Sequence, residues 1–261
     1  MAGQKVVVAL DFDGVIGDSL GDSFVQSVLA FREMGGNVQA SRALEKQFRA
    51  GRPLAKDAGS YYTLLRIIQA NPHVNFRRMT QAAFDAELQK DGPAKGLHFD
   101  ELVTKNRLAL AKANPEKWFA LQRVYPGVKR LVWNLQKKHD VFIASGKNKQ
   151  LIVRLLERNG FAIPEKNVVS GFSGTKAEQL EKISQVAGVP LGRIILVDDS
   201  LGFLRDAKKI GTEVALAKWG YCSRAQRKQA RREGIARLRV PRVFGRSLTL
   251  WSRLRKMSRK E

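Results

Sequence analysis

The stretch Val6-Val7-Val8-Ala9-Leu10-Asp11-Phe12-Asp13-Gly14 decides the fold class of this chain. Its five consecutive apolar residues are typical of a strand that is buried on both faces of a parallel sheet. The aspartates then mark the carboxyl end of the strand, and a glycine at that point permits a tight turn. Because residues two apart in extended backbone point to the same side, we expect the carboxylates of Asp11 and Asp13 to lie together.

The pattern farther along the chain predicts the sheet that this strand joins. Residues 19–124 are predicted to be almost entirely helical, whereas helices and strands alternate after Tyr125-Pro126-Gly127. Further strands are predicted at 141–144, 194–197, 214–217 and, weakly, 238–240. The expected fold is α/β, a doubly wound parallel sheet of residues 1–18 and 125–251 with residues 19–124 inserted as a helical domain. Leu248 and Trp251 are expected on a closing helix, and residues 252–261 form a basic end.

The composition indicates a globular protein with a large excess of positive charge. Its 261 residues include 47 Lys and Arg against 24 Asp and Glu, a net charge of +23, and 44% are hydrophobic, enough to bury a core. The excess charge attracts nucleic acid, membrane surfaces or phosphorylated metabolites without choosing among them. The single cysteine, Cys222, excludes an internal disulfide. The first apolar run is too short for a signal peptide or a membrane span, so we expect a cytoplasmic protein without a membrane partner.

Polar residues fall at four predicted strand ends, where open parallel sheets bind their ligands. The first is the Asp11 and Asp13 pair; the others are Ser145-Gly146-Lys147, Lys176 and Asp198-Asp199. A hydroxyl with free backbone N–H groups suits phosphate oxygens, a lysine at a helix entrance neutralises an anion, and aspartates are hard ligands for Mg²⁺. Each signal alone also fits a helix cap, a turn or a solvated lysine. Their joint order favours a single site.

These signals together resemble the four motifs of the haloacid dehalogenase superfamily, over nearly the whole chain. The motifs appear as Asp11-Phe12-Asp13-Gly14-Val15-Ile16-Gly17-Asp18-Ser19, Ser145, Lys176 and Val197-Asp198-Asp199-Ser200. The Tyr125-Pro126-Gly127-Val128 and Trp219-Gly220-Tyr221 segments are most similar to the phosphoglycolate-phosphatase-like branch, which carries a helical cap after the first motif.

The resemblance implies an Mg²⁺-dependent phosphatase that acts on a phosphate monoester, with a small phosphorylated metabolite as the expected substrate. Asp11 would attack phosphorus to give an aspartyl-phosphate, while Asp13 would protonate the leaving oxygen and then activate water. The acid at Asp13 is typical of the phosphatases and is missing from the dehalogenases. The implied phosphate ligands are Ser145, Gly146 and Lys176, and the implied metal ligands are Asp11, the backbone carbonyl of Asp13, Asp199 and Asp198. One departure is Phe203, where related sequences often carry another acid.

The predicted cap contains a basic cluster that is a candidate substrate site. Arg49 and Arg52 flank Gly51, and they suit a carboxylate or second phosphate of the substrate as well as they suit a solvated helix end. Trp133 falls in an apolar pattern and is expected in the core of the sheet domain.

The sequence is also compatible with two other functions. A nucleic-acid end phosphatase, or a nucleic-acid-binding member of the superfamily, would explain the net charge of +23 and the arginine-rich stretch from Arg224 to Arg259. A non-enzymatic binding protein on the same scaffold is disfavoured, because the residues of all four motifs are present.

Overall fold

The computed structural model describes residues 6–170 and 175–239. The chain divides into two compact units: one combines the residues up to Asp18 with those from Val124 onward, and the other is Ser19–Arg123. The predicted closing helix with Leu248 and Trp251, and the basic end at 252–261, lie outside the described residues.

The described residues form helices and short strands in a regular order. The strands are β1 (Val7–Leu10), β2 (Gly17–Asp18), β3 (Arg123–Val124), β4 (Asp140–Ser145), β5 (Val168–Ser170), β6 (Ile194–Asp198), β7 (Glu213–Ala217) and β8 (Ala236–Leu238). The α-helices are α1 (Leu20–Glu33), α2 (Arg42–Gly51), α3 (Ser60–Ala70), α4 (Gln81–Asp91), α5 (Pro93–Ala113), α6 (Pro115–Ala120), α7 (Val128–Gln136), α8 (Lys149–Arg158), α9 (Lys176–Ala187), α10 (Leu201–Lys209) and α11 (Arg224–Arg232).

A six-stranded parallel sheet organises the first unit and confirms the predicted fold class. Its order is β5-β4-β1-β6-β7-β8, and each neighbouring pair is parallel. Numbered along the chain, these six strands run 3-2-1-4-5-6, the order of a doubly wound sheet. The chain moves outward from β1 through β4 to β5, and it returns on the other side of β1 with β6. Ligands are expected at this reversal, beyond the carboxyl ends of β1 and β6.

The apolar run at the start of the sequence forms the central strand because both faces of the sheet are covered. Val7 and Ala9 belong to one core cluster with Leu180 of α9 and Leu204 of α10. Alternation along the strand directs the side chain of Val8 to the opposite face. Val7, Val8 and Ala9 have no exposed surface.

The second unit is a helical bundle. Helix α5 packs against α1, α3 and α6, and an aromatic group links α1, α2 and α3. Within that group the ring centroids of Phe24 and Phe48 are 5.6 Å apart, and those of Phe48 and Tyr61 are 5.0 Å apart. An ion pair between Arg107 Nε and Asp22 Oδ2, at 2.6 Å, joins α5 to α1, and both side chains are at least nine-tenths buried.

Three details differ from the sequence-based expectation. Strand β5 was not predicted, because Val-Val-Ser is too short to show a period. The last strand begins and ends two residues earlier than predicted, at Ala236–Leu238.

Trp133 is not a core residue: its side chain is more than half exposed, and the Lys137 ammonium lies 3.4 Å from its ring centroid. The buried stripe of α7 consists instead of Val128, Leu131, Val132 and Leu135.

Helix length and hydropathy also bear on membrane insertion. None of the helices in the described residues is long and apolar enough to cross a membrane.

Replacement of Arg107 by Met should destabilise the helical unit, because it leaves the fully buried Asp22 carboxylate without its cation. The expected loss is about 3–5 kcal/mol in the free energy of unfolding, measured in urea. Lys105→Met on the same helix removes an exposed pair with Glu33 at 3.6 Å, and it should cost less than about 1 kcal/mol. Equal effects of the two substitutions would show that the buried pair contributes little.

Candidate active site

Three carboxylates meet where the order of the sheet reverses. Asp11 directly follows β1, Asp198 ends β6, and Asp199 is the next residue. One carboxylate oxygen from each of the three lies within 4.8 Å of the others, and all three residues are buried. The backbone N–H of Asp11 donates to the Val197 carbonyl at 2.9 Å, which holds the two strand ends together. The structure thus brings together acids that lie almost 190 residues apart in sequence.

Lys176 is buried among these acids. Its Nζ donates to Asp11 Oδ1 at 3.0 Å and to the Ala144 carbonyl at 2.7 Å, and it lies 3.2 Å from Asp198 Oδ2. A capping box between Thr175 and Glu178 fixes the start of α9, so that Lys176 is the first helical residue, as predicted. The lysine at the predicted helix entrance therefore reaches the carboxylates at the strand ends.

Phe203 lies at the position where the resemblance described above implies another acid. Its ring lies 5.0 Å from the Lys176 ammonium, a distance that permits a cation–π contact. The aromatic ring thus contacts the cation of the site instead of adding another negative charge.

Burial and the neighbouring charges shift the pKa values of Asp11 and Lys176. Burial raises the pKa of Asp11 to about 8, against the effect of Lys176, and Asp198, Asp199 and Asp13 add to the rise. Burial alone would lower the pKa of Lys176, but Asp11 and Asp198 raise it above its ordinary value. Lys176 therefore stays charged, whereas Asp11 needs further positive charge to be fully ionised at neutral pH.

Lys147 belongs to the predicted Ser145-Gly146-Lys147 signal, but the sequence assigned no role to its side chain. Its Nζ lies 2.8 Å from Asp13 Oδ1, and its side chain is only 1% exposed. The residue follows β4 in Ser145-Gly146-Lys147, so its position at a strand end was the available signal. A buried lysine thus holds the carboxylate of Asp13, the second acid of the first motif.

Ser145 and Gly146 form the other part of that turn. Ser145 ends β4 and is buried, and its Oγ accepts the backbone N–H of Lys147 at 3.3 Å. A Cβ added at Gly146 would meet no atom within 4 Å, so the space beside this backbone is open. The turn therefore combines a fixed hydroxyl with an accessible stretch of backbone.

Two glycines make room for Asp199. Gly14 has a φ of +95°, and a Cβ there would lie 2.3 Å from Asp199 Oδ2. A Cβ at Gly220 would lie 2.3 Å from the Gly14 carbonyl oxygen and 2.5 Å from Asp199 Cβ. Close packing therefore requires glycine at both positions, and the positive φ is a second requirement at Gly14.

The Trp219-Gly220-Tyr221 segment, which follows β7, forms hydrogen bonds to the loop after β1 and to Asp199. Trp219 Nε1 donates to the Val15 carbonyl at 2.9 Å, and the hydroxyl of Tyr221 donates to Asp18 Oδ1 at 3.0 Å. The backbone N–H of Tyr221 donates to Asp199 Oδ2. Trp219-Gly220-Tyr221 thus supports the loop after β1 and orients one carboxylate of the cluster.

Arg49 and Arg52 belong to the helical unit. Arg49 pairs with Glu45 at 3.6 Å and is about half exposed. Arg52 Nη1 donates to the Ala55 carbonyl at 2.7 Å, and its guanidinium lies 5.4 Å from the centroid of the Tyr61 ring. Their role as substrate ligands stays a prediction.

The donor set fits a hard divalent cation. Carboxylate oxygens are the ligands that Mg²⁺ prefers, and Asp11, Asp198 and Asp199 can each offer one. Asp13 brings the number of carboxylates to four, whereas Lys147 and Lys176 bring only two ammonium groups, so a further charge of +2 would allow all four carboxylates to be ionised. A divalent cation would supply that charge.

Comparisons with known proteins agree with this geometry. A family model described as haloacid dehalogenase-like hydrolase matches residues 6–204. No curated protein matches the chain by sequence.

Several solved structures share the fold. A putative phosphoglycolate phosphatase from Lactobacillus delbrueckii subsp. bulgaricus is 16% identical, with a TM-score of 0.58 over 97% of this chain and 99% of its own. A predicted phosphatase from Clostridium acetobutylicum is 15% identical, with a TM-score of 0.58 over 90% of this chain and 94% of its own. A haloacid dehalogenase-like family hydrolase from Streptococcus pneumoniae is 12% identical, with a TM-score of 0.56 over 95% of this chain and 98% of its own. Since the family model covers most of the sequence, this chain belongs to the haloacid dehalogenase-like hydrolases.

Proposed function

We propose that this protein is an Mg²⁺-dependent phosphatase that hydrolyses a phosphate monoester of a small metabolite through an aspartyl-phosphate. The observation that carries the proposal is the contact of Lys176 with Asp11 beside the carboxylates of Asp198 and Asp199. An anionic nucleophile can approach an anionic phosphate only where positive charge surrounds both. The phosphatase names of two structural neighbours agree with this choice of reaction.

Asp11 is the proposed nucleophile. A carboxylate oxygen of Asp11 attacks phosphorus, the bond between phosphorus and the ester oxygen breaks, and Asp13 gives its proton to the leaving oxygen. Asp13 then accepts a proton from water as the water oxygen attacks the phosphorus of the aspartyl-phosphate, and the bond between phosphorus and the Asp11 oxygen breaks. The products are the alcohol and inorganic phosphate, and Asp11 and Asp13 return to their starting states.

Ser145, Gly146 and Lys176 are the proposed ligands of the transferring phosphoryl group. The hydroxyl of Ser145 and the open backbone at Gly146 suit phosphoryl oxygens, and the Lys176 ammonium offsets the negative charge that builds up on them. Because Lys176 also donates to Asp11, one cation positions both reacting partners.

Asp11, Asp199 and the backbone carbonyl of Asp13 are the proposed metal ligands, with Asp198 beside them. A Mg²⁺ ion held by these residues would neutralise charge between the nucleophile and the substrate. The glycine contacts at Gly14 and Gly220 hold the Asp199 carboxylate in place for this task.

Residues 19–124 are the proposed cap, which selects the substrate. In it Arg49 and Arg52 are the candidate ligands for a second anionic group of the substrate.

Lys147 is proposed to position Asp13. The contact of 2.8 Å fixes the carboxylate that must donate and then accept a proton. Proton transfer depends on this geometry, because the acid must reach the leaving oxygen within hydrogen-bond distance.

The proposal is tested with a panel of phosphorylated metabolites and p-nitrophenyl phosphate, measured as phosphate release with Mg²⁺ and after exhaustive chelation. Wild-type enzyme should hydrolyse at least one compound, only with Mg²⁺. Asp11→Asn should lose at least about a thousandfold in kcat while its thermal unfolding is retained, because an amide is a poor nucleophile of nearly the same shape. Turnover by Asp11→Asn near the wild-type rate, or full activity after chelation, would contradict the assignment.

Substitution Lys147→Gln should lower kcat by about 10- to 100-fold, since a hydrogen bond to a charged group is lost. Steady-state kinetics on the same substrate give the comparison. Lys149→Gln is the matched control two residues away, where the lysine is partly exposed and pairs with Glu165 at 3.4 Å. Its kcat should stay within about twofold of wild type. A similar, small effect of both substitutions would remove Lys147 from the machinery.

A further inference from the structure

A surface hollow of about 820 Å³ lies beside α11 in the sheet unit. All five basic residues of α11 (Arg224–Arg232) line it, together with Lys218 and Arg237. We call this surface the basic hollow. None of its lining residues belongs to the proposed catalytic site.

The sequence of α11 places its basic residues on neighbouring turns of the helix. Arg224, Lys228 and Arg231 follow one another at spacings of four and three, which puts them on one face. Ala230 is fully buried and packs into the core cluster of the sheet, so the opposite side of the helix is anchored. A capping box between Ser223 and Gln226 fixes the first turn. The cations are therefore displayed on a rigid element.

Within the part of the chain that the structure describes, the basic hollow contains no acidic ion-pair partner. Helix α11 contains no acidic residue, and across 6–170 and 175–239 no acidic side chain forms an ion pair with a lining residue. Glu233, the next acid along the chain, is bound instead by Arg205, whose Nε lies 3.0 Å from Oε2. The pKa of Lys218 is lowered, first by burial and then by Arg239, Arg237 and Arg227. Crowded like charges of this kind favour an anionic partner.

The basic hollow begins at the edge of the sheet where Asp11, Asp198 and Asp199 lie. Lys218 directly follows β7, which pairs in parallel with β6, and β6 ends at Asp198. Carboxyl ends of parallel neighbours lie at the same edge, about 4.8 Å apart. Arg239 follows β8 at that edge in the same way.

We infer that the basic hollow binds nucleic acid through its phosphodiester backbone. Nine helical residues span about 13 Å, and each strand of a DNA duplex carries one phosphate per about 3.4 Å of the duplex axis, so several phosphates fall within that length. Arginine, which provides four of the five α11 cations, binds phosphate oxygens with two donors at once. A membrane surface fits less well, because the apolar residues of α11 are Ala225 and the buried Ala230, and neither can insert into lipid.

The inference is tested on the full-length chain with a fluorescein-labelled DNA duplex of about 20 base pairs, by fluorescence anisotropy between about 50 and 200 mM salt. The variant Arg224→Gln, Lys228→Gln, Arg231→Gln removes three cations from the basic hollow. The control Arg77→Gln, Arg78→Gln, Lys166→Gln removes the same residue types from exposed positions elsewhere. Hydrolysis of p-nitrophenyl phosphate, or of a better substrate, is measured on both variants.

Wild-type protein should bind the duplex with steep salt dependence. In the hollow variant, which carries the three substitutions in the basic hollow, Kd for the duplex should rise at least about tenfold. The slope of log K against log salt should become shallower by about 2 to 3. The control should change Kd by less than about threefold. Hydrolysis by both variants should match wild type, which separates this inference from the proposed catalysis.

Three outcomes would overturn the inference. The first is the absence of duplex binding by wild type at low salt. The second is an equal loss of affinity in both variants, which would assign binding to net charge alone. The third is binding to phosphatidylserine vesicles, sensitive to the hollow variant, without binding to DNA.

Discussion

The buried ammonium of Lys176 makes the contacts on which the carboxylate cluster at the sheet edge depends. It contacts Asp11 after β1, Asp198 at the end of β6 and the Ala144 carbonyl of β4, so one cation links three neighbouring strands. Without it, two buried carboxylates would face each other, at a cost of several kcal/mol. The doubly wound order makes the contact available, because it places the ends of β4, β1 and β6 side by side.

The second constraint on the carboxylate cluster is the lack of free space around the Asp199 side chain. Gly14 and Gly220 approach this side chain so closely that any Cβ would collide with it or with neighbouring backbone. Trp219 and Tyr221 then fasten the loop after β1 from the far side of β6. The acids of the site are thus held by rigid strand ends and close packing, an arrangement that preorganises a charged centre before substrate arrives.

The sequence was informative wherever a residue's role follows from local pattern. The apolar run before Asp11 and the alternation of helices and strands were sufficient to predict the sheet, and the polar strand ends predicted which side chains meet. Long-range contacts were not accessible in this way. In sequence, Lys147 cannot be distinguished from a surface lysine, because its partner Asp13 comes close only when β4 pairs with β1. Trp133 directly follows the buried Val132, and only its position on the helix surface makes it exposed. Strand β5 is defined by its pairing with β4 and not by its own three residues.

The most direct test of the account is whether phosphate becomes attached to Asp11 during turnover. Enzyme mixed with Mg²⁺ and a hydrolysed substrate is quenched in acid within a single turnover, digested, and examined by mass spectrometry. The proposed mechanism predicts a peptide with one added phosphoryl group on Asp11. With p-nitrophenyl phosphate, whose leaving group needs no proton from Asp13, more of this peptide should be found in Asp13→Asn, where water is no longer activated. Phosphate on Ser145 or Asp13, or rapid turnover with Asp11 unmodified at every quench time, would contradict the proposed mechanism.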